Sequence, residues 1–283
     1  MQVQYNGSRM GLPARLFNSA ISFGAYTPAI RRAPNTRVQP MRSNHSIAQR
    51  LPDLPRWVEA RALLLWEPCE IFGLQEEPEL SLVVREPDTG SVFIIGTPAV
   101  AAVQAAVQKS VRGDVVAPLE QATWLTDALP EWTHTRIIAH HLADPHRLPE
   151  ASVGVVGFLD PATLSQLPID AELRQELESG AEQSLIAATF VDQQPVSFCY
   201  AGAITESLWD ISIDTLPEHR RKGYATLCVA HMIRHMQAKG KHPVWQAVEE
   251  NPASWRLAQK LGFVPVDELA LFERREQASS LHS

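Results

Sequence analysis

The chain has little of what marks the specialised protein classes. It holds three cysteines, Cys69, Cys199 and Cys228, in 283 residues. An odd number spread so widely argues against a disulfide framework and has no zinc-site spacing. Buried free thiols in a reducing compartment are expected. No apolar run approaches the roughly 20 residues of a membrane helix. No basic start followed by an apolar core marks a secretory signal, so the cytoplasm is the expected location. Basic residues are not in excess: 25 Lys and Arg stand against 32 Asp and Glu, a net charge of −7. That balance argues against bulk nucleic-acid binding. What remains is ordinary for a globular protein, with 45% apolar and 20% charged residues. The length is comfortable for two compact units.

Residues 1–50 differ from the rest. They show no sustained period and few acids, with scattered Pro, Gly, Asn and Arg. Such a stretch buries too little apolar surface to offset its ordering, so it is expected to be disordered. A start at Met41, with a misassigned leader before it, is a second reading. An organellar targeting segment is the alternative to that. Residues 51–134 read as a small α+β module. PRWVEARALLLWEP is a short amphipathic helix with Trp57, Ala60, Leu64 and Leu65 on one side. LSLVVREPDTGSVFIIG is a hairpin turning at Pro87–Gly90, and TPAVAAVQAAVQKSV is an alanine-rich helix. No catalytic pattern stands out there, and a packing or substrate-gating role is expected.

Residues 135–275 carry a second pattern, followed by a frayed tail at 276–283. Strands are expected at Thr135–Ile138 and Val153–Leu159. His140, His141 and His146 between them read as solvated loop histidines, and no metal is expected. Asp160-Pro161 and Asp170 cap two short helices. Three strands follow, at Ser184–Val191, Pro195–Gly202 and Leu208–Leu216. The third alternates Ile211 and Ile213 with Asp210, Ser212 and Asp214. The chain then turns through PEHRRKG into a long helix, which ends before Gly240. A basic, glycine-containing turn feeding a helix N-terminus is an anion site. The first helical amides lack intrahelical partners, and the helix dipole adds positive charge. His242–Val248 returns as a strand parallel to the third. Asn251-Pro252 opens a last helix, stopped by Gly262, and one or two closing strands follow.

LPEHRRKGYA resembles the acyl-CoA-binding motif of the GCN5-related N-acetyltransferases (GNAT superfamily), Arg/Gln-x-x-Gly-x-Gly/Ala. NPASWRLAQKLGF resembles the second signature of the same superfamily, at the expected distance. The resemblance covers about half of the chain, roughly 135–275. It implies an α/β (α+β) fold, with a mixed, mostly antiparallel central sheet flanked by helices. Residues 51–134 would be an N-terminal extension or a degenerate second copy, although the cradle motif is not repeated there. It further implies that the acetyl-CoA pyrophosphate rests on the amides of Arg221, Lys222, Gly223, Tyr224 and Ala225, with the Arg220 side chain adding charge. The pantetheine arm would pair with the strand edge at Ile213, Asp214 and Thr215. Asn251 and, more weakly, Ser254 would contact the cofactor, although each also reads as a cap or a packing residue.

The implied reaction is transfer of an acetyl group to a primary amine by direct attack in a ternary complex. The acceptor would be a small molecule or a peptide amine, and the protein a monomer or homodimer. The thioester is already activated, so the protein's tasks are positioning and proton handling. Superfamily bases are often carboxylates on the central strand, which points first to Asp210 and then to Glu206. The tyrosine that members often use as acid is replaced here by Ala258. That departure leaves a non-catalytic acyl-CoA-binding or regulatory protein as the second reading. Cys199 in VSFCYAG reads as a buried strand residue rather than a nucleophile.

Overall fold

The computed structural model describes residues 42–275, apart from 67, 77, 111–112 and 151–154. The expectations for residues 1–40 and for the tail lie outside the described residues. Arg42–Arg50 belong by composition to the disordered leader, yet they form helix α1. Ile47 and Ala48 of this helix are buried, together with the following Leu51. The apolar surface that orders it comes from helix α2, Val58–Trp66.

The first half continues with β1 (Glu70–Gln75), β2 (Ser81–Arg85), β3 (Val92–Ile95), α3 (Val100–Gln108), β4 (Val115–Pro118), α4 (Ala122–Ala128) and β5 (Trp132–Leu142). The second half consists of β6 (Val156–Phe158), α5 (Ala171–Gln183), β7 (Ala187–Val191), β8 (Gln194–Ile204), β9 (Leu208–Thr215), α6 (Tyr224–Gln237), β10 (His242–Val248), α7 (Pro252–Lys260) and β11 (Phe263–Arg274). All eleven strands join one sheet, in the order β1-β2-β3-β4-β11-β5-β10-β9-β8-β7-β6.

The two halves repeat one sequence of elements. Each contains three consecutive antiparallel strands (β1–β3 and β7–β9), then a helix, a parallel strand, a second helix and a long final strand, and the second half adds β6 and α5 before its three. The final strands are exchanged. β5 pairs with β10 of the second half, and β11 pairs with β4 of the first. β5 and β11 also run antiparallel to each other over almost their whole length, from Phe263–Leu142 to Arg274–Trp132. The sheet is therefore continuous across the boundary between residues 134 and 135. Among its described residues the first half shows no open glycine turn matching the cradle. At the corresponding β3–α3 connection, a Cβ on Gly96 would lie 2.4 Å from the Leu80 carbonyl oxygen.

Two sequence expectations need correction. Helix α2 is not amphipathic but buried from Val58 through Leu64. Ala60, Leu63 and Leu64 pack on the first-half sheet, whereas Val58 and Ala62 pack on Ala203 and Val244 of the second. A helix that packs on both halves of the sheet and against α1 keeps little solvent face to be polar. His140 and His141 are also not loop residues, because β5 extends to Leu142. His140 is 1% exposed, with Nδ1 3.1 Å from the Trp245 carbonyl oxygen, and its burial lowers its pKa. Among the described residues no group of three or more His, Cys, Asp or Glu is placed to hold a metal.

Candidate active site

Strand β9 presents a different chemistry on each face, as its alternation dictates. Trp209, Ile211 and Ile213 enter the core under α6, with Cys228, Val229, Met232 and Ile233. Asp210, Ser212 and Asp214 point the other way, where Asp210 interacts with Glu59 of α2 and Asp214 with Glu176 of α5. Helices α2 and α5 thus cover the acidic face.

At the end of β9 the chain passes through a 3-10 turn, Pro217–His219, and then an exposed run, Arg220–Gly223. Arg221 and Gly223 both adopt positive φ, 61° and 88°. Gly223 is the N-cap of the 14-residue α6, and no side chain caps that end. Helices α5 and α7, by contrast, are capped by Asp170 and Asn251. A Cβ added to Gly223 would meet nothing within 4 Å. Its left-handed conformation therefore serves the turn and leaves open space beside the first helical amides. Thr189 pins the helix start by donating to the Tyr224 carbonyl at 3.0 Å. Arg220 Nε donates to the Thr215 carbonyl at 3.0 Å, which holds its guanidinium beside the strand end. Uncapped amides, an open glycine and three exposed cations fit a phosphate-bearing ligand.

β9 and β10 pair in parallel only at Leu208–His242, Trp209–Pro243 and Asp210–Val244. Beyond that point β9 stays with β8 as far as Thr215, and β10 stays with β5 as far as Val248. The two strands fork, and their facing edges are Ile211–Thr215 and Trp245–Val248. From the apex at Asp210 to Thr215 is about 17 Å at the usual strand rise. Asp214 lies along this fork, half-buried, with its pKa pushed up to about 7 by burial and Glu176, against a lowering by Arg220. The Asn251 side chain accepts from the Ser254 amide at 3.1 Å as a helix cap. Ser254 Oγ accepts from Trp245 Nε1 at 3.0 Å and is nearly buried. Both are thereby given structural partners beside the fork.

Asp210 sits at the apex. It is 1% exposed, and the backbone amides of Ile211 and Gln246, on either side of the fork, act to lower its pKa. Burial nevertheless raises its pKa well above the usual carboxylate range. Glu59 is 3% exposed, and burial followed by the charges of Asp210 and Glu86 raises its pKa as well. Glu59 Oε1, Asp210 Oδ1 and Gln246 Oε1 are buried without a hydrogen-bond donor. Glu206, the other carboxylate marked by the sequence, has a different position. It lies in the β8–β9 turn, gripped by Arg61 at 2.7 and 2.8 Å, and this contact lowers its pKa. A carboxylate held ionised by a guanidinium is a weak base, so the structure gives Glu206 an anchoring task. Ala258, where members often carry tyrosine, is fully buried in α7.

A cleft of about 310 Å³ opens on the acidic face between α2, the end of α5 and β8. Its walls are Ala62, Leu63 and Trp66 of α2, Glu182 and Gln183 of α5, and Gly202–Ile204. Glu59, Ala62, Leu63 and Trp66 share one stripe of α2, so the stripe runs from the mouth down to Glu59. The exposed Trp66 is fixed at the rim by an Nε1 bond of 2.8 Å to the Ile204 carbonyl. At the floor, a Cβ on Gly202 would stand 3.6 Å from Asp210 Oδ2. Glu59, Trp66 and Glu182 do not stand out in the sequence. The one signal available is a charged pair, Glu59 and Arg61, inside the otherwise apolar run VEARALLLW.

This architecture is shared with known structures. A GCN5-related N-acetyltransferase-like protein from Streptococcus suis superposes with a TM-score of 0.60 at 18% identity, covering 83% of this chain and 98% of that one. A GCN5-related N-acetyltransferase from Kribbella flavida gives 0.53 at 14% identity, covering 83% and 97%. A GNAT-family acetyltransferase from Colwellia psychrerythraea gives 0.52 at 11%, covering 83% and 95%. Coverage of that extent includes the first half as well as the second. No curated protein matches the sequence. The class is therefore that of GNAT-fold proteins. Within the chain, residues 178–272 match the GNAT acetyltransferase family model.

Proposed function

We propose that the protein is an acetyl-CoA-dependent N-acetyltransferase that acts on a primary amine in a ternary complex. The observation that carries this reading is the placement of Asp210. It stands at the apex of the β9–β10 fork and under the floor of the α2–α5 cleft. A cofactor edge and an acceptor cleft thus converge on one buried carboxyl group. The residues that would hold acetyl-CoA are the amides of Arg221–Ala225 and the Arg220 side chain at the pyrophosphate, and the Ile213, Asp214 and Thr215 edge along the pantetheine. Asn251 and Ser254 flank the other side of the fork. Acetyl-CoA supplies an activated thioester.

An amine enters the cleft as an ammonium ion and must lose a proton before it can attack. Asp210 takes that proton, and burial, by raising its pKa above the usual carboxylate range, makes it a stronger base. Attack forms the N–C bond and breaks the C–S bond. The second proton lost by nitrogen leaves with CoA as its thiol, so the transfer is balanced without a metal or a covalent enzyme intermediate. Cys199 is fully buried with its thiol pKa well above normal, which supports direct transfer.

One observation favours the second reading, an acyl-CoA-binding protein without turnover. Ala258 puts a buried methyl where members often carry a phenol. Release of free CoA, followed with a thiol reagent across a panel of amines, separates the two. Turnover abolished by Asp210→Asn is the expected result. CoA binding with no turnover on any amine would overturn the enzyme reading.

A further inference from the structure

Helix α2 lies over Asp210, and the register of the sheet shows where. The residues paired with Asp210 in the neighbouring strands are Ala203 of β8 and Val244 of β10. Both pack against Val58 and Ala62 of α2. Glu59, three positions before Ala62, is a neighbour on that helix face. The turn of α2 that carries Glu59 therefore covers Asp210. The two carboxyls are closed off from water, at 3% and 1% exposure. Glu59 Oε1, Asp210 Oδ1 and Gln246 Oε1 are all buried without a hydrogen-bond donor. Gln246 follows Val244 by two places and so shares its face of β10. Buried acceptors without donors are costly. Among the described residues, those around the pair bring no cation to it. Arg61, on the same helix, is committed to Glu206 and to the carbonyls of Ala48 and Leu51. β8 offers Gly202 and Ala203, which carry no charge. Glu86, just after β2, sets a further negative charge against Glu59 and accepts from Thr89 Oγ1. The donor that this cluster lacks is a proton kept by a carboxyl.

We propose that Glu59 is a positioning residue: it keeps its proton at neutral pH and donates it in a hydrogen bond to Asp210, so that the two carboxyls carry one negative charge between them. Burial raises the pKa of both, but the amides of Ile211 and Gln246 favour the ionised form of Asp210. For Glu59 the charges of Asp210 and Glu86 add to burial and disfavour ionisation further. The proton therefore stays on Glu59 and the charge on Asp210. The bond from Glu59 fixes the Asp210 carboxylate and lowers the cost of its charge. The role of Asp210 as base rests on the transfer reading. There Asp210 accepts one proton from the ammonium, Glu59 keeps its own, and Asp210 returns its proton to water once product has left. Glu59 acts through Asp210 alone.

Two variants of the full chain test this. Glu59→Gln replaces the O–H donor by an N–H donor of the same size, and Glu59→Leu removes it. With any amine that gives turnover, pH profiles of kcat should show the acid limb near its parental place for Glu59→Gln. For Glu59→Leu the limb should move up by about one pH unit. On that limb the move is a tenfold loss of kcat, with KM little changed. A leucine variant with the parental rate and limb would overturn the proposal. So would equal losses in both variants, since charge and not a donor would then be needed. The infrared C=O stretch of a protonated carboxylic acid gives a readout without turnover, and it needs only the mild glutamine variant. The difference spectrum between the parent protein and Glu59→Gln at pH 8 should contain that band. Its absence would show Glu59 ionised and overturn the proposal whatever the rates. The band present in a protein that turns over no amine would keep the proton on Glu59 and sink only the transfer reading.

Discussion

Arg61 of α2 grips Glu206, in the turn between β8 and β9, through Nε and Nη2 at 2.8 and 2.7 Å. Its Nη1 donates to the carbonyls of Ala48 and Leu51, at the end of α1. One buried guanidinium therefore fastens the first helices of the chain to the strand turn that leads into the candidate active site. Asp53 reinforces the same joint by accepting from Thr205 and Ser207 at 2.7–3.0 Å.

Arg61→Ala should destabilise the fold. The Arg61 side chain is 9% exposed, and its loss removes the guanidinium donors from two carbonyls and one carboxylate, although the Ala48 carbonyl keeps the Leu51 amide. Glu206 is 44% exposed, so water recovers part of its interaction. A loss of about 2–3 kcal/mol is expected, or about 5–8 °C in Tm. Differential scanning fluorimetry measures it, and an unchanged Tm would contradict the anchoring role.

Gly223→Ala should separate binding from stability. Nothing crowds an added methyl, so the fold loses only about 1 kcal/mol for a left-handed non-glycine residue. A methyl in the cradle would keep a pyrophosphate off the first amides of α6. CoA affinity should fall at least tenfold by calorimetry while Tm shifts by a few degrees. Undiminished CoA affinity would move the cofactor away from this turn.

Asp210→Asn should cost activity and gain stability. As a general base its removal should lower kcat by about 10²–10⁴. The folded-state pKa of Asp210 lies above its unfolded value, so the folded protein binds the extra proton. Its stability is full below about pH 4, where both states are protonated, and declines as pH rises through the folded pKa. The asparagine variant lacks this decline, and so does Glu59→Gln for the same reason. Urea titrations at pH 5 and pH 8 should show a smaller drop for each variant than for the parent protein. A drop of equal size would show that these carboxyls do not titrate upward on folding.

The thiols should be nearly silent in the native protein. Cys228 is fully buried, donates to the Ala187 carbonyl at 3.1 Å, and has its pKa pushed up to about 12 by burial. Cys199 is equally buried, and the half-buried Cys69 is raised to about 11. A chromogenic disulfide should titrate at most one thiol, that of Cys69, until denaturant exposes all three. Rapid native modification of Cys199 would reopen a covalent route.

Much of the second half was legible because its signals are local. The hydroxyl-poor, basic turn PEHRRKG needs a glycine in a left-handed conformation, and Gly223 has φ 88°. Asn251-Pro252 reads as a cap and caps. Strands such as β9 show their period in the order of residues. The first half was less legible. The short strands β1 and β4 and the helix α4 are fixed by neighbours, not by period. Helix α1 owes its order to α2, and no reading of residues 42–50 alone contains that contact.

The sequence by itself determined the order of elements in the second half, the basic glycine turn and the carboxylates on one face of β9, since each follows from spacing within a few residues. Tertiary structure decided which of those carboxylates meets a cleft. It exchanged the final strands of the two halves, bringing α2 over β8–β10 and setting Glu59 beside Asp210, 151 positions apart in the chain. It also turned Glu206 from a candidate base into the partner of Arg61. These relations depend on long-range packing and on the charge environment it creates. Local preference constrains a side chain's face, but only the assembled fold sets what that face meets.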